Sequence, residues 1–390
     1  MNGFKVPHST QLSPGITALR SNCSTVLPCL GLDQAILRRM TEDSDVNEIT
    51  AASGAGLPRS LRDFIERETG CPAASLGIHA LNGDAGFRRY YRLQTDPPLL
   101  AVDAPPATEN SAQFVALARW FESVGVPAPS VLAVDLDAGH LLVEDVGQQD
   151  LQSVLNRDSV HGLYGQALST LLHLQTADSA DLDLPTYDAA FLRRELHLFR
   201  EWFIERWLGV ALGPEDVATL DRLDAQLIDS ALSQPTVLVH RDFHCRNLIV
   251  DGLGQLSVID FQDAVFGPLF YDAVSLLKDC YQRWPDDLVQ RWALAYATMA
   301  RDAGLAVPQA NAVVLQQFHR MGLQRHLKVL GIFTRLSLRD SKSHYLGDLP
   351  RVYAYIQDAL AEDDELKYAR EWFSERLDLI VQRAFAERVL

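Results

Sequence analysis

The stretch HRDFHCRNLIVDGLGQLSVID, residues 240–260, holds an aspartate (Asp242), an asparagine five positions on (Asn247) and a second aspartate (Asp260) closing an apolar run. That is the spacing used to move a phosphoryl group. It gives Asp242 the proton of a substrate hydroxyl. It gives Asn247 and Asp260 the Mg2+ that bridges the phosphates of ATP, because a hard cation takes hard oxygen donors. A lone aspartate in a loop is ordinarily solvated or a cap, and Asn247 alone would pass as a turn residue; the joint offsets carry the assignment. His240 and Arg241 are expected to hold the loop, while His244 and Arg246 stay open between packing and contact with substrate or phosphate.

Around this segment the chain is long enough, at 390 residues, for two lobes rather than one core. Hydrophobic residues make up 47% and charged ones 22%, a globular balance with no run approaching the roughly 18 apolar residues of a membrane span. The first residues lack an apolar export segment, so a cytoplasmic protein is expected. Five cysteines (Cys23, Cys29, Cys71, Cys245, Cys280) without metal-ligand spacing read as reduced thiols and exclude a zinc site. A net charge of −16 disfavours nucleic acid and anionic membrane as partners, and a monomer is expected. An ATP site in such a chain must create its own positive field.

Residues 1–57, rich in Ser, Asp and Gly, read as an extension, with one short helix near Asp33–Met40. From Pro58 the pattern tightens into a helix (Arg59–Glu68), strands at Leu76–Leu81 and Phe87–Gln94 joined by an Asn82-Gly83 turn, a strand Leu99–Asp103, a helix Glu109–Val124, and strands Val131–Val134 and Leu141–Glu144. Past Gly147 helical periodicities take over, at Gln152–Asn156, Gly162–Gln175, Ala190–Leu208, Pro214–Leu232 and from Phe270 to Leu390. Strands return only at Asn247–Val250 and Leu256–Ile259. The expected class is α+β: a small antiparallel-sheet lobe over residues 58–146 and a large, mainly helical lobe over 147–390.

A strand-rich lobe followed by a helical lobe carrying this motif resembles the kinase fold, in its aminoglycoside-phosphotransferase-like branch of small-molecule kinases. Protein kinases follow the metal aspartate with Phe-Gly and a later Ala-Pro-Glu; here Asp260 begins Asp-Phe-Gln-Asp and no Ala-Pro-Glu follows. More specific are Phe87-Arg88-Arg89-Tyr90, Val102-Asp103-Ala104-Pro105-Pro106, residues 260–268, Lys278-Asp279-Cys280-Tyr281, Trp284-Pro285 and residues 324–333. Together these resemble the bacterial N-acetylmuramate/N-acetylglucosamine anomeric kinases of cell-wall recycling. The resemblance implies ATP-dependent phosphorylation of the C1 hydroxyl of an amino sugar. It also implies that Asp272 braces the catalytic loop.

One departure stands out. Kinases place a lysine on the third strand against the phosphates and pair it with a glutamate on the next helix. This chain has no lysine between Lys5 and Lys278, and the helix interior from Ala112 to Phe121 has no acid. Arginine is the expected replacement: period two puts Arg89 on one face of its strand and Arg88 and Arg92 on the other, so Arg88 or Arg89 supplies the field at the phosphates. Arg92 reads as a surface residue. The turn Gly83-Asp84-Ala85-Gly86 would let backbone N–H groups approach phosphate oxygens, though a plain hairpin turn explains it as well. Asp103 either braces an arginine or meets substrate.

Adenine is expected at Glu144-Asp145-Val146, through backbone groups, with Val102, Leu142 and Ile259 as apolar neighbours or ordinary strand core. On the substrate side, Asp263 either reaches sugar hydroxyls or bonds its own loop. In the helix around residues 316–335, Arg325 and Lys328 lie three apart on one face, where either would meet the carboxylate of N-acetylmuramate; a solvated basic face is the competing reading. Two other functions compete. A kinase of a cationic alcohol, aminoglycoside or choline-like, would want an acidic pocket. A silent nucleotide-binding module would explain the missing lysine, but sits badly with Asp242, Asn247 and Asp260 all present.

Overall fold

The computed structural model describes residues 57–81 and 87–389. The expected extension over residues 1–56 with its short helix, the Asn82-Gly83 turn, and the phosphate-loop glycines Gly83 and Gly86 lie outside the described residues. Two compact units form, one from residues 57–123 and 128–147 and the other from 124–127 and 148–389. Residues 124–127, although inside the stretch expected to form the first lobe, go with the second unit.

In the first unit, helix α1 (Arg59–Thr69) precedes strands β1 (Ile78–Leu81), β2 (Arg89–Leu93) and β3 (Leu99–Asp103), helix α2 (Ser111–Val124), and strands β4 (Val131–Asp135) and β5 (His140–Glu144). The sheet is antiparallel with order β1-β2-β3-β5-β4. In α1, Leu61, Phe64 and Ile65 fall at helical spacing and pack with Tyr91, Leu93, Leu99, Ala101 and Leu142 of the sheet. Each such side chain contributes about 1.5–3 kcal/mol on burial. Gly70 ends the helix in the left-handed conformation (φ 72°), its N–H donating to Glu66 C=O. Leu142 is thereby committed to the core, the ordinary alternative to contacting adenine.

The second unit runs through α3 (Leu151–Val154), α4 (Val160–Thr176), α5 (Ala189–Leu198), a π-helical stretch (Phe199–Trp207) and α6 (Pro214–Leu232). Strands β6 (Thr236–Val239), β7 (Leu248–Val250), β8 (Leu256–Val258) and β9 (Val265–Pro268) follow. The rest is helical: α7 (Phe270–Leu277), α8 (Asp286–Asp302), α9 (Asn311–Asp340), α10 (Leu349–Glu362), α11 (Lys367–Arg376) and α12 (Asp378–Arg388). The expectation of strands only at the motif is corrected. β6 and β9 pair antiparallel, Thr236 opposite Pro268 and Val239 opposite Val265, and the β7–β8 hairpin is a separate ladder. Both pairs are short and buried, so neither advertises itself by alternation.

The single helix expected over Ala190–Leu208 changes to π geometry at Phe199. There Phe199, Phe203 and Trp207 stack in succession, with centroids 5.5 and 5.4 Å apart. Helix α9 runs through the middle of the unit and is buried on all sides from Met321 to Gly331. It packs tightly at Gly331, where an added Cβ would lie 2.4 Å from the Leu198 carbonyl carbon and 2.5 Å from its oxygen. Among the described residues no helix is long and apolar enough to cross a membrane. Cys71 is disulfide-bonded, which corrects the reading of five reduced thiols; Cys245 and Cys280 are free and buried.

Gly331→Ala is expected to lower stability by about 1–3 kcal/mol through overpacking against backbone, although alanine is the better helix former by about 1 kcal/mol. Urea unfolding of the two proteins measures the difference, and a stabilised variant would contradict the close packing of α9.

Candidate active site

The motif folds as two loops issuing from strand ends. Residues 240–247 leave β6 and enter β7; residues 259–264 leave β8 and enter β9. Three backbone anchors hold them. Asp272, in the first turn of α7 and fully buried, accepts from His240 N–H (2.6 Å) and Arg241 N–H (3.0 Å). Asp279, also buried, accepts from Cys245 N–H (2.9 Å) and Tyr281 N–H (2.8 Å). His240 bridges the loops, its Nε2 lying 3.0 Å from Ile259 C=O while Nδ1 stands 3.3 Å from Asp242 N–H. Arg241 and Asp260 adopt left-handed backbone conformations, φ 76° and 64°. Non-glycine residues held there store about 1–3 kcal/mol each, which the anchors sustain.

Those hydrogen bonds dictate the His240 tautomer. A carbonyl at Nε2 requires Nε2–H, and the Asp242 N–H at Nδ1 requires a lone pair, so the ring is neutral. Burial agrees, lowering its pKa to about 4. Asp272 moves the other way, pushed up to about 7 by burial against the two N–H bonds that lower it.

Asn247 and Asp260 come together as expected. Asn247 Nδ2 donates to Asp242 C=O at 3.0 Å and lies 3.5 Å from Asp260 Oδ2, which leaves the Asn247 amide oxygen for another partner. Gln262 Nε2 donates to Asp260 Oδ1 at 2.7 Å. An amide oxygen beside a carboxylate suits Mg2+. Among the described residues no group of three or more His, Cys, Asp or Glu could hold a metal by itself. A cation here would therefore draw its remaining ligands from water or phosphate oxygens.

Asp242 opens onto a cavity of about 190 Å3 that is also bordered by Arg241, His244, Asp263, Arg325 and Lys328, with Cys280, Tyr281, Val329, Ile332 and Phe333 completing the wall. Four sequence-predicted residues, Asp242, Asp263, Arg325 and Lys328, thus meet in one place. Arg325 and Lys328 are 3% and 5% exposed, so the solvated-face reading of their helix is set aside. Lys328 Nζ stands 3.1 Å from Glu195 Oε1 and donates to Tyr271 OH at 2.8 Å; Arg241 Nη2 donates to the same Glu195 oxygen at 2.7 Å. Arg241 therefore both holds the loop and borders the cavity. Burial alone would raise the Asp242 carboxyl, but Lys328, His244, Arg325 and Arg241 together hold it down at about 2. His244 packs edge-on against Tyr281, whereas Arg246 stacks 3.6 Å from that ring's centre and bonds Gln152, which makes it structural.

Glu195, Tyr271 and Asp279 were missed by sequence reasoning. Asp279 sits in the quoted run Lys278-Asp279-Cys280-Tyr281 and was within reach; Glu195, on the amphipathic helix α5, carried no signal.

In the first unit, Arg88 is buried and pairs with Glu109, Nε to Oε2 at 3.0 Å, its guanidinium 5.2 Å from the Phe114 ring centre. Glu109 also accepts from Phe87 N–H at 3.0 Å. The strand lysine and an acid within α2 are both absent, as the sequence reads, and Arg88 pairs instead with an acid two residues ahead of α2. Arg88 Nη1 is buried without a hydrogen-bond partner, while Arg89 is exposed opposite Asp103 on β3. Asp103 lies 3.5 Å from His140 Nδ1. Arg92 is not a plain surface residue, since it forks onto Asp145, whose carboxylate also takes Gly147 N–H at 3.1 Å. Glu144 is fixed by Ser130 through both its N–H and its side chain, and Val146 lies between these anchored residues.

A cavity-facing aspartate, an Asn/Asp pair suited to Mg2+, and a small antiparallel sheet followed by a helical unit define a kinase-like phosphotransferase. Residues 77–310 match the phosphotransferase enzyme family, and the chain belongs to it. Its relatives include proteins named N-acetylmuramate/N-acetylglucosamine kinase. The one from Pseudomonas putida is 43% identical over 309 residues, covering 78% of this chain and 89% of the relative. The one from Neisseria meningitidis is 36% identical over 296 residues, covering 74% and 87%. A choline/ethanolamine kinase family protein from Mesorhizobium loti shares the fold at TM-score 0.56 and 15% identity, over 79% of this chain and 96% of that one. An ADP-bound aminoglycoside phosphotransferase does so at TM-score 0.52 and 14% identity, over 77% and 98%.

Because the folded His240 has its pKa depressed from 6.5 to about 4, the stability it contributes is full above 6.5 and lost as pH falls toward 4. The loss amounts to roughly 3 kcal/mol. Asp272, raised to about 7, gains stability over the same range, so the His240 share is read as a difference: in urea unfolding from pH 7.5 to 4 the native chain is expected to lose stability relative to His240→Gln. Parallel curves would contradict the neutral-ring assignment.

Proposed function

We propose that this chain is a cytoplasmic, ATP- and Mg2+-dependent amino-sugar kinase that phosphorylates the anomeric C1 hydroxyl of N-acetylmuramate, N-acetylglucosamine or both, in peptidoglycan recycling. The observation that carries the reading is the cavity in which Asp242 faces the buried cations Arg325 and Lys328. Relatives bearing these sugars' names supply the substrate class. A cationic acceptor, aminoglycoside or choline-like, would meet Arg241, Arg325 and Lys328 and be repelled.

In this reading the C1 hydroxyl donates a hydrogen bond to the Asp242 carboxylate, which orients an oxygen lone pair toward the γ-phosphorus. A carboxylate held near 2 is a weak base. It suits a loose transition state, in which the hydroxyl proton leaves late and positioning does most of the work. Asn247 and Asp260 would hold Mg2+, which when bound neutralises charge on the phosphates. Arg88, oriented by Glu109, would bind phosphate oxygen through its unpartnered Nη1, in the role lysine usually fills. Backbone groups of Glu144 and Val146 would meet adenine, with Arg89, Gly83 and Gly86 as further candidates at the phosphates. Asp263, at the cavity edge, would bond sugar hydroxyls.

Asp242→Asn is expected to lower kcat by about 10²–10⁴ while leaving the KM for ATP within a few-fold, read by ADP release with each sugar. Unchanged turnover would remove Asp242 from the reaction. Arg88→Gln is expected to raise the KM for ATP by about 10–100-fold, the worth of a charge-assisted bond, with sugar KM little altered. An unaltered ATP KM would transfer the phosphate role to another group. Phosphorus NMR of the product should give an anomeric phosphate signal; a C6 phosphate would overturn the regiochemistry.

A further inference from the structure

Three cations border the active-site cavity, but they are not alike. Arg241 and Lys328 share Glu195 Oε1, at 2.7 and 3.1 Å, and Lys328 is further bonded to Tyr271 OH. Both are pinned within the protein's own network. Arg325, 3% exposed, has Cys280 Sγ at 3.4 Å as its hydrogen-bond acceptor, and its Nε is buried without a partner. Among the described residues no carboxylate lies within ion-pair distance of it. A buried guanidinium with only a thiol as hydrogen-bond acceptor is costly to maintain. Its planar fork is shaped for a carboxylate, which it binds through two parallel N–H bonds.

Resting on the amino-sugar kinase reading, we infer that Arg325 binds the carboxylate of the acceptor and makes a carboxylated N-acetylamino sugar the preferred substrate over its neutral counterpart. N-acetylmuramate differs from N-acetylglucosamine by a lactyl ether on the C3 oxygen, two ring positions from C1. Its carboxylate and its reacting hydroxyl therefore fit into the same cavity, one at Arg325 and the other at Asp242. Val329, Ile332 and Phe333 on the same wall suit the lactyl and acetyl methyl groups. Lys328 is a positioning residue, holding Tyr271 and Glu195 and keeping Asp242 ionised.

The test compares kcat/KM for the two sugars, each measured in the native chain, Arg325→Gln and Arg325→Lys. The N-acetylmuramate to N-acetylglucosamine ratio should exceed unity in the native chain, fall about 100-fold in Arg325→Gln, and recover in part in Arg325→Lys. A loss shared equally by both sugars leaves the ratio intact and overturns the inference while the kinase reading stands. Calorimetric binding of the sugars without nucleotide separates the other failure. If neither sugar is phosphorylated, the kinase reading falls, and Arg325 is then judged by binding alone. Selective loss of N-acetylmuramate binding in Arg325→Gln upholds it, and equal binding of both sugars by the native chain rejects it.

Discussion

Everything at the active site hangs from two hydrogen bonds donated to one buried carboxylate. Asp272 accepts the N–H groups of His240 and Arg241, and that pair fixes the backbone where Arg241 turns left-handed ahead of Asp242. The carboxylate belongs to the first turn of α7, where the helix N-terminus favours negative charge. Burial nevertheless pushes its pKa up to about 7, so the anchor is maintained against a desolvation penalty. Asp279 repeats the device further along the same loop, on Cys245. Asp242 is thus placed by backbone anchoring, while its own carboxylate borders the cavity.

The second constraint is electrostatic. A chain of net charge −16 must bind polyanionic nucleotide and, on the reading above, an anionic sugar. It does so by burying cations where few acids accompany them. Arg241 and Lys328 share one glutamate, Glu195, Arg325 pairs with no carboxylate, and low exposure keeps the field of all three from being screened. Surface charges farther away than about a Debye length, roughly 8 Å at physiological salt, are largely screened from this field. Local composition decides.

Much of this was legible in sequence because it is local. The Asp242, Asn247 and Asp260 offsets and the three-residue spacing of Arg325 and Lys328 lie within single segments, and the structure brings each set to one place; the Asp272 brace, 32 residues from His240, was implied by the family resemblance instead. What escaped depends on pairs far apart in the chain. Glu195 is recruited by residues 46 and 133 positions later, and β6 finds its partner across the whole motif. The burial of the α9 basic face was equally hidden. A helix reading Gln-Arg-His-Leu-Lys looks solvated until one knows that α5, α7, α10 and the π-helical stretch surround it.

The Arg88–Glu109 pair shows how a motif search by residue type goes astray. Looking for lysine on a strand and glutamate inside a helix finds neither, and the double absence suggests a vacant role. In the function proposed above the principle is kept and the parts change: a cation at the edge of β2, an acid just ahead of α2, and a carboxylate that fastens both Arg88 Nε and Phe87 N–H. Fixing Nε this way orients the whole planar guanidinium, since its atoms cannot rotate independently. Lysine, a point charge on a flexible stem, would need a partner to hold its tip; arginine can be gripped at Nε and still present Nη1, the atom left buried and unpartnered. The acid can therefore sit behind the cation rather than beside its tip, which is why it need not come from within the helix.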